Sequence, residues 1–277
     1  MRVPILTYHA ANISGNDYGN NDHVAFAEDL ELVTREGWRI IPLHLVVDNL
    51  LGIRHDDLSG CVALTCDDGT DFDFYDLEHP QYGLQRSLFN CLRDFQKIFG
   101  NDKQPHLHLT NFVIASPEAR ESLDQSCLIG CGWINDHWWK EAQDCGLMAI
   151  ENHSWDHNHA GVPLPGIDGM ARGSFYEVNN HIRATVEISD STKYINKKIN
   201  PHRSTLFCYP FSHVSDYLRD EYFPTYQHEH GLIAAFGGDP HPLTKDSNRW
   251  NLPRYICGFH WKSPEELRAV LREINGN

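Results

Sequence analysis

Short apolar runs alternate with longer amphipathic ones from one end of this chain to the other, and few folds accommodate that alternation. Val3–Tyr8, Trp38–Pro42, Val62–Cys66, Leu107–Ile114, Met148–Ile150, Leu206–Tyr209, Leu232–Ala235 and Leu252–Cys257 read as strands. Helical spacing marks Phe26–Glu36, Leu45–Leu51, Ser87–Phe99, Trp138–Cys145 and Pro264–Ile274 between and after them. A helix starts at Ser116-Pro117-Glu118, Tyr176–Ile199 reads as a long helix with room for one break, and Ser215–His230 is mostly helical. This α/β pattern calls for parallel strands with helices outside. The strand count in 277 residues favours a barrel or incomplete barrel over an open doubly wound sheet. No glycine-rich turn follows the first strand, so no dinucleotide site is expected. Neither an internal repeat nor a linker divides the chain, and residues 1–277 are expected to form a single domain.

Charge narrows the partners. The chain has 23 Lys and Arg against 38 Asp and Glu, a net charge of −15. Such a surface repels phosphate backbones, and no basic stripe offsets it, so nucleic acid is not expected as a partner. No apolar run reaches the ~18–20 residues of a membrane span. The first residues, Met1-Arg2-Val3-Pro4-Ile5, enter a buried strand directly, without the pattern of a secretory leader. Two readings follow, a cytoplasmic protein or one whose leader has been removed, and eight cysteines, several inside strands and helices and read as small buried hydrophobes, fit the cytoplasmic one better. Cys127 and Cys131 lack a second cysteine pair and are not expected to hold a structural zinc.

Three polar constellations each follow a strand, which in a parallel barrel gathers them on the C-terminal rim. Asp67-Asp68-Gly69 ends Val62–Cys66. Adjacent carboxylates diverge as the chain leaves a strand, so one can bind a metal while the other faces substrate. His153-Ser154-Trp155-Asp156-His157 places two imidazoles four residues apart, able to share one ion if the segment enters a helical turn. Two histidines and a carboxylate leave an open position for water on zinc or a similar ion. Phe207-Cys208-Tyr209-Pro210-Phe211 ends in a proline turn whose next free amide is that of Phe211. Thr70–Leu84, acidic and aromatic, is longer than most connections and is expected to be a functional loop over the site.

Together these residues resemble the polysaccharide deacetylase family, the NodB-like carbohydrate esterases. Thr65-Cys66-Asp67-Asp68-Gly69 resembles the family's Thr-Phe-Asp-Asp-Gly motif, and His153 to His157 its His-Ser/Thr-x-x-His motif. Pro210-Phe211 resembles the Pro-Tyr that ends its third motif. Val3–His9 and Leu252-Pro253-Arg254 are similar to its first strand and to a late Leu-Pro-Arg. The resemblance implies a distorted (β/α) barrel of seven or eight parallel strands. It implies one divalent metal ion, usually zinc, held by Asp68, His153 and His157. Asp67 would be the general base on the metal's water, Arg254 would hold Asp67 and lower its pKa, and the Phe211 amide would stabilise the oxyanion. The expected substrate is an acylated amino sugar or saccharide, losing its N-acetyl group.

The chain departs from the family at several positions. Cys66 replaces Phe, a core change expected to be harmless. Phe211 replaces Tyr, and Cys208 stands where some branches carry Arg. The leucine-x-histidine motif that supplies the general acid in many members is not recognisable. His9, at the end of the first strand, is favoured for that role over His260, with Asp67 itself as the third candidate. His159 is expected to support the site or lie exposed. Two other readings share the fold: an amidase or cyclic imidase acting on a small non-sugar substrate, and a non-catalytic sugar-binding protein.

Overall fold

The computed structural model describes residues 1–128, 130–163 and 166–276. Eight parallel strands form its central sheet: β1 (Ile5–Tyr8), β2 (Arg39–Ile40), β3 (Cys61–Cys66), β4 (Leu109–Val113), β5 (Met148–Asn152), β6 (Leu206–Cys208), β7 (Ala234–Phe236) and β8 (Tyr255–Ile256). Seven run side by side in the order β7-β6-β5-β4-β3-β1-β8, and the expected barrel is present in a distorted form. The sheet curls until Phe236 and Leu252 meet in a single parallel bridge. The expected second strand shrinks to two residues that pair only with Cys61 and Val62 at the start of β3.

Register does the functional work. Tyr8 lies opposite Cys66, Cys66 opposite Asn111, Val113 opposite Asn152 and Asn152 opposite Phe207. The residues that follow these strands, His9, Asp67, His153 and Tyr209, therefore emerge on one rim. One buried cluster joins Ile5, Ala63, Phe112, Leu206 and Ala234 of the strands with Val46 and Val47 of the helix Leu43–Leu50. A larger one packs the helices Asp22–Arg35, Leu88–Phe99 and Pro264–Asn275 on the outside. The helix start at Ser116-Pro117 is as expected and Ser263-Pro264 repeats it: Ser116 and Ser263 accept from Ala119 and Glu266 amides, with Pro117 and Pro264 at the first helical position.

Two expectations need correction. Thr70–Leu84 is not a loop over the site. It holds a turn at Asp71–Asp73 and a hairpin strand, Leu77–His79, paired with Gly83–Gln85. Asp71 draws it down by accepting from the Asn135 amides and the Trp138 indole, and Phe74 stacks on Trp138. The long helix begins at His181 rather than Tyr176, and its irregularity is a π turn, Thr185–Asp190, inside a helical run ending at Lys198. Among the described residues no helix is long and apolar enough to cross a membrane.

Candidate active site

A cavity of about 550 Å³ opens on the C-terminal rim. His9, Asp67, Asp68, His153, His157, Phe211 and Arg254 all line it, as do His159 and His260. Backbone strain concentrates there. Of the seven non-glycine residues with positive φ among the described residues, Asp68, Ser154, His157, Asn158, Phe211 and Ser212 belong to the rim turns. Strain of this kind persists only where surroundings over-determine it, and it collects at functional sites. Gly69, at φ +73°, is required: a Cβ would sit 2.6 Å from Val113 Cγ1.

Asp68 Oδ1 lies 3.6 Å from His153 Nε2 and 3.8 Å from His157 Nε2. The segment joining the histidines does not enter the helical turn that was the condition for sharing an ion: Ser154 and His157 adopt left-handed conformations, yet both Nε2 atoms turn to Asp68. The Cys208 carbonyl accepts from His153 Nδ1 at 2.9 Å, so that nitrogen carries the proton and Nε2 keeps its lone pair. Burial first, then the neighbouring His153 and His159, push the His157 pKa well below the ordinary imidazole value and hold it neutral. Two imidazole nitrogens and a carboxylate oxygen within 4.8 Å of one another suit a divalent ion.

A second trio, Asp67, His153 and Cys208, is equally close but differently occupied. Both Asp67 oxygens are taken by Arg254, Nη1 to Oδ1 at 2.8 Å and Nη2 to Oδ2 at 2.9 Å. Burial lifts the Cys208 pKa well above the usual thiol value, and the thiol donates to Asp67 Oδ2 at 3.3 Å. Those atoms are engaged; Asp68, His153 and His157 form the set that fits a metal.

Asp67 is buried, and burial alone would raise its pKa. The Arg254 guanidinium, supported by His153, outweighs that cost and holds the carboxyl well below the usual carboxylate range. Arg254 is fixed in turn by donating Nε to the Gly237 carbonyl at 2.9 Å and by lying 5.7 Å over the Phe112 ring. His9 Nε2 stands 4.0 Å from Asp67 Oδ2, and its buried Nδ1 has no partner. His260 differs: its Nδ1 accepts the Ile256 amide at 2.7 Å. The Phe211 ring packs edge-on against His157 at 4.3 Å, and His159 lies beside Phe211 with Cys127 Sγ 3.8 Å from its Nδ1.

Cys66 is not merely a tolerated core change. Its thiol donates at 3.1 Å to buried Asp73, whose pKa is raised well above normal by burial and by nearby Asp68 and Asp71. Sequence reasoning passed over Asp73, and over Asn152 and Glu187, which bond the backbone of the histidine segment. The acidic character of Asp73 and Glu187 was visible, but nothing in the sequence marks them as buried.

The family model for polysaccharide deacetylases matches residues 55–223, a stretch that contains Asp67, Asp68, His153, His157 and Phe211. The chain belongs to the polysaccharide deacetylase family. Solved deacetylases share its fold over nearly its full length. A Streptococcus pyogenes deacetylase in complex with acetate superposes with a TM-score of 0.61 at 18% identity, covering 98% of each chain. A de-N-acetylase from Aggregatibacter actinomycetemcomitans gives 0.62 at 13% identity, over 98% of this chain and 100% of the other. A polysaccharide deacetylase from Bacillus cereus gives 0.60 at 18%, over 98% of this chain and 69% of that one. No curated protein matches the sequence. His9, which follows β1, Arg254, which precedes β8, and His260, in the turn after β8, lie outside the stretch matched by the deacetylase model and line the same cavity.

Proposed function

We propose that this polysaccharide deacetylase hydrolyses the N-acetyl group of an amino sugar, in a poly- or oligosaccharide or its precursor, with one divalent metal, zinc, held by Asp68, His153 and His157. The observation that carries the reading is the pairing of two unlike groups in one cavity. A His/His/Asp set, with the His153 ring oriented by the Cys208 carbonyl, lies beside a buried carboxylate kept ionised by Arg254. When bound, the metal would polarise the acyl carbonyl and acidify a water molecule.

The chain's own residues supply the proton transfers. Asp67, locked in orientation by Arg254, accepts the proton of the attacking water. The Phe211 amide, first free donor after Pro210, donates to the oxygen that becomes negative as the carbonyl carbon turns tetrahedral. His9 protonates the leaving nitrogen as the C–N bond breaks, releasing acetate and the free amine. His260 suits that role less well. It would have to be protonated on Nδ1 to act as an acid, and Nδ1 is occupied by the Ile256 amide.

Residues 1–277 act in this reading as one catalytic domain. Buried thiols at Cys61, Cys66, Cys91, Cys208 and Cys257 support a reducing, cytoplasmic setting. The test is acyl release by zinc-reconstituted protein from N-acetylglucosamine oligomers, acetylated nucleotide sugars and small cyclic amides. Acetate released from the sugars supports the proposal. Turnover of the cyclic amides alone favours the imidase reading, and no turnover alongside sugar binding favours the non-catalytic one.

A further inference from the structure

The segment that carries His153 and His157 is held in an unusual way. Five consecutive amides donate to side-chain oxygens. Ser154 N–H bonds Asn152 Oδ1 at 2.7 Å, and those of Trp155 and Asp156 bond Glu187 Oε2 at 3.2 and 3.4 Å. The His157 amide bonds Ser154 Oγ at 2.9 Å, and that of Asn158 bonds Asp156 Oδ1 at 2.8 Å. From the other side, the amides of Ala115 and Ser116 donate to the carbonyls of Ser154 and Trp155 at 3.0 and 2.7 Å. The left-handed conformations of Ser154 and His157 are unfavourable for residues with a Cβ and need such restraint.

Glu187 is the one acceptor in this set that comes from a distant element. It sits in the π turn Thr185–Asp190, where three successive residues, Glu187, Ile188 and Ser189, are all buried. Each meets a different partner. Glu187 reaches the histidine segment, Ile188 packs in the core and gives its carbonyl to Asn152 Nδ2, and Ser189 Oγ lies 2.8 Å from the Tyr222 hydroxyl. Successive side chains of an α-helix diverge by about 100°, and the wider π turn lets all three point inward. A carboxyl fully buried in a core-facing turn costs more than an apolar side chain there, unless its acceptor function is needed.

We infer that Glu187 is a positioning residue that presets the histidine segment, so that both imidazoles face Asp68 before any metal arrives. The inference rests on the metal reading above, so its test includes a measurement that needs no metal. Amide hydrogen exchange on metal-free protein reads the clamp itself, and cobalt(II) titration followed by visible absorption reads its consequence. Glu187→Gln keeps an acceptor oxygen and should protect Trp155 and Asp156 and bind cobalt like the wild type. Glu187→Ala should lose that protection and bind cobalt about ten- to a hundredfold more weakly, the usual effect of losing a group that orients a ligand. Glu187→Asp, one methylene too short, should behave like Ala and serves if the Ala variant does not fold. Wild-type exchange and cobalt affinity in the Ala or Asp variant would overturn the inference. A wild-type protein that binds no cobalt would count against the metal reading, and the exchange comparison would still decide the clamp.

Discussion

Arg254 and Asp67, 187 positions apart, meet in a buried two-pronged ion pair in which each guanidinium nitrogen faces its own carboxylate oxygen. The pair fixes the orientation of Asp67 and keeps it ionised, two properties a general base needs. Removing the guanidinium leaves a buried carboxylate without its counter-charge. Arg254→Met is expected to destabilise the fold by about 3–5 kcal/mol. In the protein that remains folded, the acidic limb of kcat/KM should move up by about 1–3 pH units, the usual effect of an adjacent arginine on an aspartate. An unmoved acidic limb would show that Asp67 protonation does not govern the rate.

The two rim histidines separate by tautomer. The Ile256 amide claims His260 Nδ1, whereas both His9 nitrogens lack a hydrogen-bonded proton acceptor and Nε2 faces Asp67. His9→Ala is expected to lower turnover about 10²-fold or more and to remove the basic limb of the pH–rate profile. His260→Ala should leave that limb in place. If neither substitution moves it, Asp67 must act as base and acid in turn.

Much of this site was legible because its chemistry comes in short spacings at strand ends. Asp67-Asp68 and His153 to His157 are local patterns, and the parallel register that unites them follows from strand–helix alternation. Arg254 was legible only by resemblance, since nothing local links it to Asp67. The misreadings concern polar residues that the fold buries. Length made Thr70–Leu84 read as a functional loop over the site, but the donors that hold Asp71 and Asp73 inside it, Asn135, Trp138 and Cys66, leave no local mark on that segment. The hairpin inside that segment turns through Pro80-Gln81-Tyr82, without the Asn-Gly signal of a tight turn. The π turn around Glu187 has no sequence signature, because its widened geometry answers to the histidine segment it supports.

Stability should fall in mild acid for a reason remote from the site. Burial, with a smaller contribution from nearby His44, pushes the His108 pKa down to about 3, and its Nδ1 is buried without a partner. The unfolded chain takes up this proton near the ordinary pKa of about 6.5. Between those values the unfolded state binds more protons, so stability is lost as pH drops through the window from about 6.5 toward about 3. The ceiling for one group is about 1.4 kcal/mol per pH unit. His108→Asn should show a flatter decline of Tm over pH 6.5 to 4.5 than the wild type. Parallel curves would mean that His108 is protonated equally in both states.

Metal content measured on Asp67→Asn, His153→Ala and His157→Ala after zinc reconstitution tests the division of labour at the site most directly. Asp67→Asn should cost stability much as Arg254→Met does, but the folded protein should retain one zinc per chain while losing about 10²–10⁴ in rate. Either histidine variant should lose most of its zinc together with its activity. Zinc lost from Asp67→Asn, or retained at one per chain in both histidine variants, would contradict the account.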